Sequence, residues 1–188
     1  GVMTRLHLFE GTGIEMRIHF FEDPEETFIH NHRNTFFSHC LAGKYVHRIW
    51  RVEHENDPDK EHFAVNRTKD PELTSLERRP GELTVKYLNT HVENATYFIP
   101  ASTPHTVLPN LDGARPTPTA TIYIKGRRCR EDTWVLSPTE QLAEQNRKPE
   151  RLERQLTGLD KLSALQRLGD VLKRGKEPRR QGGSACRR

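Results

Sequence analysis

Short runs in which polar and apolar side chains alternate fill most of residues 1–136, and turn residues separate these runs. They occupy Ile14–Phe21, 35–41, 44–52, 82–88, Thr96–Ile99 and 119–125. Alternation with a period of two is typical of strands that bury one face. Many short strands without intervening helices indicate a β-sandwich or barrel rather than an α/β fold. We therefore predict a mainly β domain over residues 1–136.

Two features interrupt this pattern. Ala42, Gly43 and Lys44 lie between two of the runs and predict a tight hairpin turn. Residues 53–80 are rich in charged side chains and contain three prolines. They predict a long loop or an irregular strand pair, inserted between two barrel strands.

The pattern becomes helical over residues 137–175. Ser137, Pro138 and Glu140 predict a helix start in which the serine is the N-cap and the proline the first helical residue. Beyond it, leucines every three or four residues predict one apolar stripe, made of Leu152, Leu156, Leu159, Leu162, Leu165, Leu168 and Leu172. We expect a break at Thr157 and Gly158, with Thr157 or Asp160 capping a second helix. This helical extension is expected to pack on the barrel or, alternatively, on a partner copy to give a homodimer.

The composition is polar and charged, with 33% hydrophobic residues and a mean hydropathy of -0.84. No apolar run approaches the ~20 residues that a membrane-spanning helix needs, so no membrane association is expected. The three cysteines include no CxxC pair, which argues against a disulfide framework. The sequence thus favours a reducing, cytoplasmic location.

The net charge of +4 comes from the end of the chain, because residues 173–188 carry seven basic residues and one acidic residue. We predict that residues 176–188 form a basic disordered tail. Since the remainder of the chain carries no basic excess, specific nucleic-acid binding is not expected.

Histidines form the chemically informative pattern. His30 and His32 are two residues apart, so on a strand both side chains would point to one face. Further along, an apolar run ends at Pro100, and His105 opens the next predicted strand. Imidazole nitrogen suits iron, zinc, nickel and copper. Three protein ligands with open positions are typical of a reactive metal site.

These residues resemble the motifs of the cupin superfamily. Gly43 follows His32 by eleven residues and His105 follows Pro100 by five, as the two cupin motifs require. The resemblance covers roughly residues 14–136. It implies a double-stranded β-helix (jelly-roll) barrel that holds one divalent metal ion through His30, His32 and His105, with helices following the barrel.

The sequence departs from the common cupin pattern at several positions, of which two affect the site most. Phe36 stands where an acidic ligand is usual, and Ser102 where the second motif has glycine. The remaining three-histidine set is similar to that of thiol dioxygenases, which use ferrous iron. The sequence around His30 is also similar to cupin modules of hydrazine-forming natural-product enzymes. Fe(II) is therefore the first expected metal and Zn(II) the second, and the ion's uncompensated charge would favour anionic or chelating ligands.

Further site residues follow from strand parity and proximity. Parity from Phe36 places Ser38 and Cys40 on the inner face and His39 on the outer one; His47 stays undecided as a fourth ligand. Ser38 and Tyr45 are candidates for catalytic groups, since hydroxyls can hold or transfer protons. Arg33 and Tyr97 are candidates for substrate binding. For each, packing or a surface ion pair is the alternative role.

Three functions are consistent with these features. The first is a mononuclear metal-dependent enzyme, an oxygenase acting on a small polar, amino-acid-like molecule. The second is a zinc-dependent, non-redox enzyme that catalyses a rearrangement or N–N bond formation in a biosynthetic pathway. The third is a non-catalytic, ligand-binding barrel.

Overall fold

The computed structural model describes residues 3–22, 26–67, 74–109, 111–112, 115–116, 118–147 and 157–175. Within these ranges the chain forms two antiparallel β-sheets, a short two-stranded ribbon and two helices. The ribbon pairs β11 (Leu111–Asp112) with β12 (Arg115–Pro116). No helix in the described ranges is long and apolar enough to cross a membrane.

The first sheet has five strands. Their spatial order is β1 (Thr4–Gly11), β2 (Ile14–Phe21), β13 (Thr119–Arg128), β4 (Asn34–Ala42) and β9 (Thr96–Ile99). The second sheet has seven strands. Their order is β7 (Ser75–Pro80), β6 (Glu61–Asn66), β14 (Trp134–Ser137), β3 (Ile29–His30), β10 (His105–Pro109), β5 (Lys44–Glu53) and β8 (Glu82–Val92).

The two sheets face each other and enclose the core. Phe21 and Cys40 of the first sheet pack against Tyr45 and Val107 of the second. The strand pairings in the described ranges are antiparallel; β1–β2 and β6–β7 join consecutive strands, whereas β2–β13, β13–β4 and β3–β10 join strands that are distant in sequence. The mainly β prediction is therefore confirmed: two facing antiparallel sheets are followed by helices.

The hairpin turn predicted at Gly43 is confirmed. Gly43 joins β4 to β5 with φ of +77°, a backbone conformation that residues with a side chain rarely adopt. A Cβ at this position would lie 2.6 Å from the carbonyl oxygen of Pro118. Backbone geometry and lack of space both favour glycine here.

Of the two alternatives for residues 53–80, the strand pair is the observed one. β6 pairs with β7 in regular antiparallel register, from Glu61 opposite Pro80 to Asn66 opposite Ser75. The pair extends the second sheet at one edge. Helix α1 (Glu140–Arg147) covers part of this extension, since Ala143 packs against Phe63 and Val65.

The first helix starts later than predicted. Ser137 belongs to β14, and its hydroxyl accepts a hydrogen bond from Asn146 at 3.1 Å. The N-cap is Thr139, whose Oγ1 accepts the backbone N–H of Leu142. Sheet pairing retains Ser137 in the extended conformation, so Ser137 as N-cap was wrong.

Helix α2 (Gly158–Gly175) has the predicted cap, because the Thr157 hydroxyl accepts the N–H of Asp160 at 3.2 Å. The barrel covers only part of the predicted leucine stripe in helix α2. Leu168 is buried against the outer face of the first sheet, whereas Leu159 is 81% and Leu162 64% exposed. A step of three residues falls short of the 3.6-residue turn, so leucines spaced by three wind around the helix. Leu152, Leu156 and the predicted tail lie outside the described residues.

Candidate metal centre

The two-residue strand β3 places His30 in the middle of the second sheet. His30 is opposite His105 of β10 on one side and Val135 of β14 on the other. Residues directly opposite across antiparallel strands point to the same face of the sheet. The imidazoles of His30 and His105 therefore both enter the space between the sheets.

His32 lies beyond the end of β3, and not on the same strand as predicted. The backbone stays anchored, because the His32 N–H donates to the Ala101 carbonyl at 2.9 Å. The preceding Asn31 is buried, and its side-chain oxygen accepts the Trp134 N–H at 2.7 Å. These bonds hold His32 against the turn that precedes His105.

The three imidazoles converge. Ligand atoms of His30, His32 and His105 all lie within 4.8 Å of one another. Their ring centroids are 4.6 to 5.0 Å apart, and Nε2 of His32 is 3.3 Å from Nε2 of His105. The structure thus brings together the three residues that the spacing singled out.

Hydrogen bonds fix which ring nitrogens are available to a ligand. Nδ1 of His30 lies 2.7 Å from the Phe28 carbonyl, and Nδ1 of His105 lies 3.1 Å from the Thr103 carbonyl. A carbonyl only accepts, so both Nδ1 atoms carry the proton and both Nε2 atoms keep a lone pair; that of His105 faces Nε2 of His32, 3.3 Å away. Backbone carbonyls orient metal-binding histidines in this way. The donor set fits one transition-metal ion.

The environment keeps these imidazoles neutral. Burial lowers the pKa of His30, opposed by the hydrogen bond to Phe28. Burial first and neighbouring imidazoles second lower the pKa of His32 and of His105 well below the usual value. A metal ion therefore does not have to displace protons from the three rings near neutral pH.

Phe36 fills the position at which the sequence lacks the usual acidic ligand. Its side chain is 3% exposed and contacts the rings of His32 at 4.7 Å and Tyr123 at 4.5 Å. The group of potential ligands in the described ranges contains histidines only. The site is therefore neutral and borders an apolar wall.

Arg33 makes its hydrogen bonds to the backbone of the chain. Its guanidinium donates to the Glu131 carbonyl at 3.1 Å and to the Arg67 carbonyl at 2.6 Å. Its own carbonyl accepts the N–H groups of Cys129 and Arg130. These bonds join the segment after His32 to neighbouring loops, and substrate binding by Arg33 stays a prediction.

Three predicted hydroxyl groups lie together on the inner face. Ser38 and Tyr45 are buried, Tyr97 is half-buried, and Ser38 is opposite Tyr97 in the sheet. Burial raises the pKa of Tyr45 and of Tyr97, while the Ser38 hydroxyl beside them opposes the rise. Both phenols therefore stay protonated and able to donate. The structure does not test their roles in a reaction.

The two histidines considered as a fourth ligand have different positions. His39 lies on the outer face, as parity predicts, with Nδ1 2.8 Å from Thr96 Oγ1. His47 is 2% exposed and its ring centroid is 5.1 Å from that of His105. It lies next to the three-histidine group without belonging to it.

The sequence reasoning missed three aromatic residues of the interior. His19 stacks on Tyr123 with ring centroids 4.8 Å apart, and His91 contacts His47 at 5.5 Å. The alternation in β2, which puts His19 on the same face as Phe21, could have indicated His19. His91 carried no such signal, because its position depends on the pairing of β8 with β5.

Two arginines act on the interior histidines from a distance. Arg5 contributes to lowering the pKa of His19, His30 and His32, and Arg17 to lowering that of His19 and His32. The buried Glu15 is engaged in ion pairs with Arg17, Lys125 and His7.

Acid is expected to destabilise the metal-free protein. Burial is the main cause that lowers the pKa of His19 to about 3 and that of His47 to about 4. Both are neutral when folded, whereas the unfolded chain takes up protons below about pH 6.5. The stabilisation is therefore complete above that pH and is lost as the pH falls towards 4 and 3. At pH 5 the expected loss is about 2 kcal/mol for each ring.

Urea unfolding at pH 7 and pH 5 with a chelator measures this effect. His19→Gln should reduce the loss between the two pH values by about 2 kcal/mol. His39→Gln, which removes an outward-facing imidazole, is the matched comparison. If H19Q lost as much free energy of unfolding as the parent, the attribution to His19 would be wrong.

No protein-family model and no curated protein sequence matches the chain. Solved structures with a similar course of the chain include a cupin superfamily protein from Desulfitobacterium hafniense and an RmlC-like cupin from Shewanella frigidimarina. The first is 9% identical, covering 66% of this chain and 77% of the other, with a TM-score of 0.40. The second is 13% identical, covering 69% and 79%, with a TM-score of 0.41.

Hydroquinone 1,2-dioxygenase from Sphingomonas sp. TTNP3, solved with 4-hydroxybenzoate bound, is a further match. It is 9% identical, covers 66% of each chain and has a TM-score of 0.42. These similarities concern the path of the chain and not the chemistry of the site. What the site can do follows from its own residues.

Proposed function

We propose that this cupin-type barrel is a mononuclear metal-dependent enzyme that oxidises a small polar, amino-acid-like molecule. The observation that supports the proposal is the convergence of His30, His32 and His105. Two of these rings present Nε2 lone pairs fixed by backbone hydrogen bonds.

Three neutral ligands leave further coordination positions for substrate, as reactive sites require. Fe(II) is the first expected ion and Zn(II) the second, since imidazole suits both. When bound, iron would supply redox chemistry with O₂, whereas zinc would supply Lewis-acid chemistry alone.

The residues around the three histidines have distinct proposed tasks. Phe36 limits the access of water on one side. An ion held by three neutral imidazoles would keep its full charge and favour an anionic or chelating substrate. The protonated hydroxyls of Tyr45 and Ser38 would hold or transfer a proton, and Tyr97 would contact the substrate.

The runner-up is a zinc-dependent enzyme without redox chemistry, for rearrangement or N–N bond formation. The all-histidine donor set favours it as a candidate, because three imidazoles also hold catalytic zinc. The two functions differ first in the metal that they require.

Elemental analysis of the protein purified without added metal tests the proposal. Close to one iron per chain, with O₂ uptake on addition of small thiols or amines, is the expected result. One zinc per chain and no O₂ uptake would favour the runner-up. If no transition metal bound at stoichiometric level, even after reconstitution under anaerobic conditions, both enzymatic functions would be rejected.

A further inference from the structure

A pair of further imidazoles lies beside the three-histidine group. His47 of β5 and His91 of β8 have ring centroids 5.5 Å apart, on the inner face of the second sheet. The Tyr97 ring contacts both, at 4.7 Å from His47 and 4.5 Å from His91. Two neighbouring strands and one strand of the opposite sheet therefore form one aromatic, polar cluster.

Both rings of the pair have an unsatisfied buried atom. Nε2 of His47 and Nε2 of His91 are inaccessible to solvent and have no hydrogen-bond partner among the described residues. By contrast, His62 is buried with Nδ1 2.9 Å from the Gly81 carbonyl. A buried polar atom without a partner costs about 1–3 kcal/mol. Two such atoms in one cluster indicate that a polar ligand belongs there.

The chemistry of the cluster selects the ligand. A neutral imidazole can place its proton on Nε2 when an acceptor is present. The Tyr45 ring contacts the His91 ring at 5.2 Å, and its hydroxyl is buried beside the hydroxyls of Ser38 and Tyr97. No carboxylate, arginine or lysine is among the groups that shift the pKa of His47 or of His91. The cluster offers neutral donors, which suit a monoanion better than a phosphate dianion.

We propose that His47, His91 and Tyr45 form a subsite that binds a carboxylate group of the substrate. The inference deepens the proposed function and rests on it for the identity of the bound molecule as substrate. His47 contacts His105 edge-on at 5.1 Å, whereas no ring contact joins His91 to the three-histidine group. The subsite therefore adjoins the three-histidine group through His47, and a substitution of His91 alters no ring that contacts a proposed metal ligand.

Binding of acetate, followed by NMR of the histidine side chains, tests the subsite. Acetamide is the neutral probe of the same shape, and both titrations are run with metal-free and with zinc-loaded protein. Acetate should shift the ring resonances of His47 and His91 in both forms and bind at least about tenfold more tightly than acetamide. His91→Gln should weaken acetate binding about tenfold, as reported by His47. His39→Gln should leave it unchanged.

The outcomes separate the two proposals. Equal response to acetate and acetamide would overturn the subsite, and so would unchanged acetate binding in H91Q. A zinc affinity of H91Q within about threefold of the parent's supports a subsite that is separate from the metal-binding histidines. If the parent protein does not bind zinc but still responds to acetate, the proposed function is rejected and the subsite stands. If H91Q failed to fold, His47→Gln with His91 as reporter would provide the same comparison.

Discussion

Replacing His105 with alanine is expected to abolish stoichiometric metal binding. His105 is buried, its Nδ1 donates to Thr103, and its Nε2 lies 3.3 Å from that of His32. Its removal leaves the imidazoles of His30 and His32, of which His30 is oriented by the Phe28 carbonyl. Loss of an outer hydrogen bond to a ligand alone costs about 10–100-fold in metal affinity, so loss of the ligand should exceed about 100-fold.

Calorimetric titration of the chelator-treated protein with Zn²⁺ measures this change. His32→Ala should behave in the same way. His91→Ala is the matched control, because it also removes an imidazole from the barrel interior but lies outside the ligand group. Circular dichroism of each variant distinguishes loss of the site from loss of the fold. Wild-type affinity and full occupancy in H105A would refute the ligand assignment.

Phe36→Glu is expected to make the stability of the barrel depend strongly on metal. Phe36 is buried among the rings of His32, His105 and Tyr123. A carboxylate there has neutral imidazoles around it in the metal-free state and loses its hydration. Leaving a buried charge uncompensated costs about 3–5 kcal/mol. With a divalent ion bound, the same carboxylate lies beside a compensating charge and can act as a fourth ligand.

Urea unfolding with chelator and with saturating Zn²⁺ gives the two free energies of unfolding. Without metal, F36E should be less stable than the parent by about 3–5 kcal/mol. Zinc should restore several kcal/mol more to F36E than to the parent, by preferential binding to the folded state. Phe36→Gln is the matched control, because glutamine has the shape of glutamate without its charge. Equal recovery of F36E and F36Q would contradict the position assigned to the missing carboxylate.

Much of the site could be predicted because it depends on local patterns. Parity along β4 placed Phe36, Ser38 and Cys40 on the inner face, and all three are buried there. The turn at Gly43 followed from its position between two alternating runs. The motif spacing singled out His30, His32 and His105 although 73 residues separate the last two. Each of these patterns is local to one stretch of the chain. That the two histidine motifs come together is what the cupin resemblance implied.

Predictions that required knowledge of neighbours were less successful. Ser137 has the sequence signature of an N-cap, but pairing of β14 with β6 keeps it in a strand. The leucines of α2 look equivalent in sequence, yet the sheet covers Leu168 and leaves Leu159 exposed. Local propensities are small compared with the free energy of a sheet pairing or of burying a leucine.

The amino-acid sequence determined which side chains share a face of each strand and which histidines could form a metal site. Only the tertiary structure decided what surrounds that site. The contact of His91 with His47 depends on the register of β8 against β5, and the contact of Tyr97 with both depends on the packing of the two sheets. Alternation is a property of one strand, whereas a pocket between sheets depends on which strands pair and in what register.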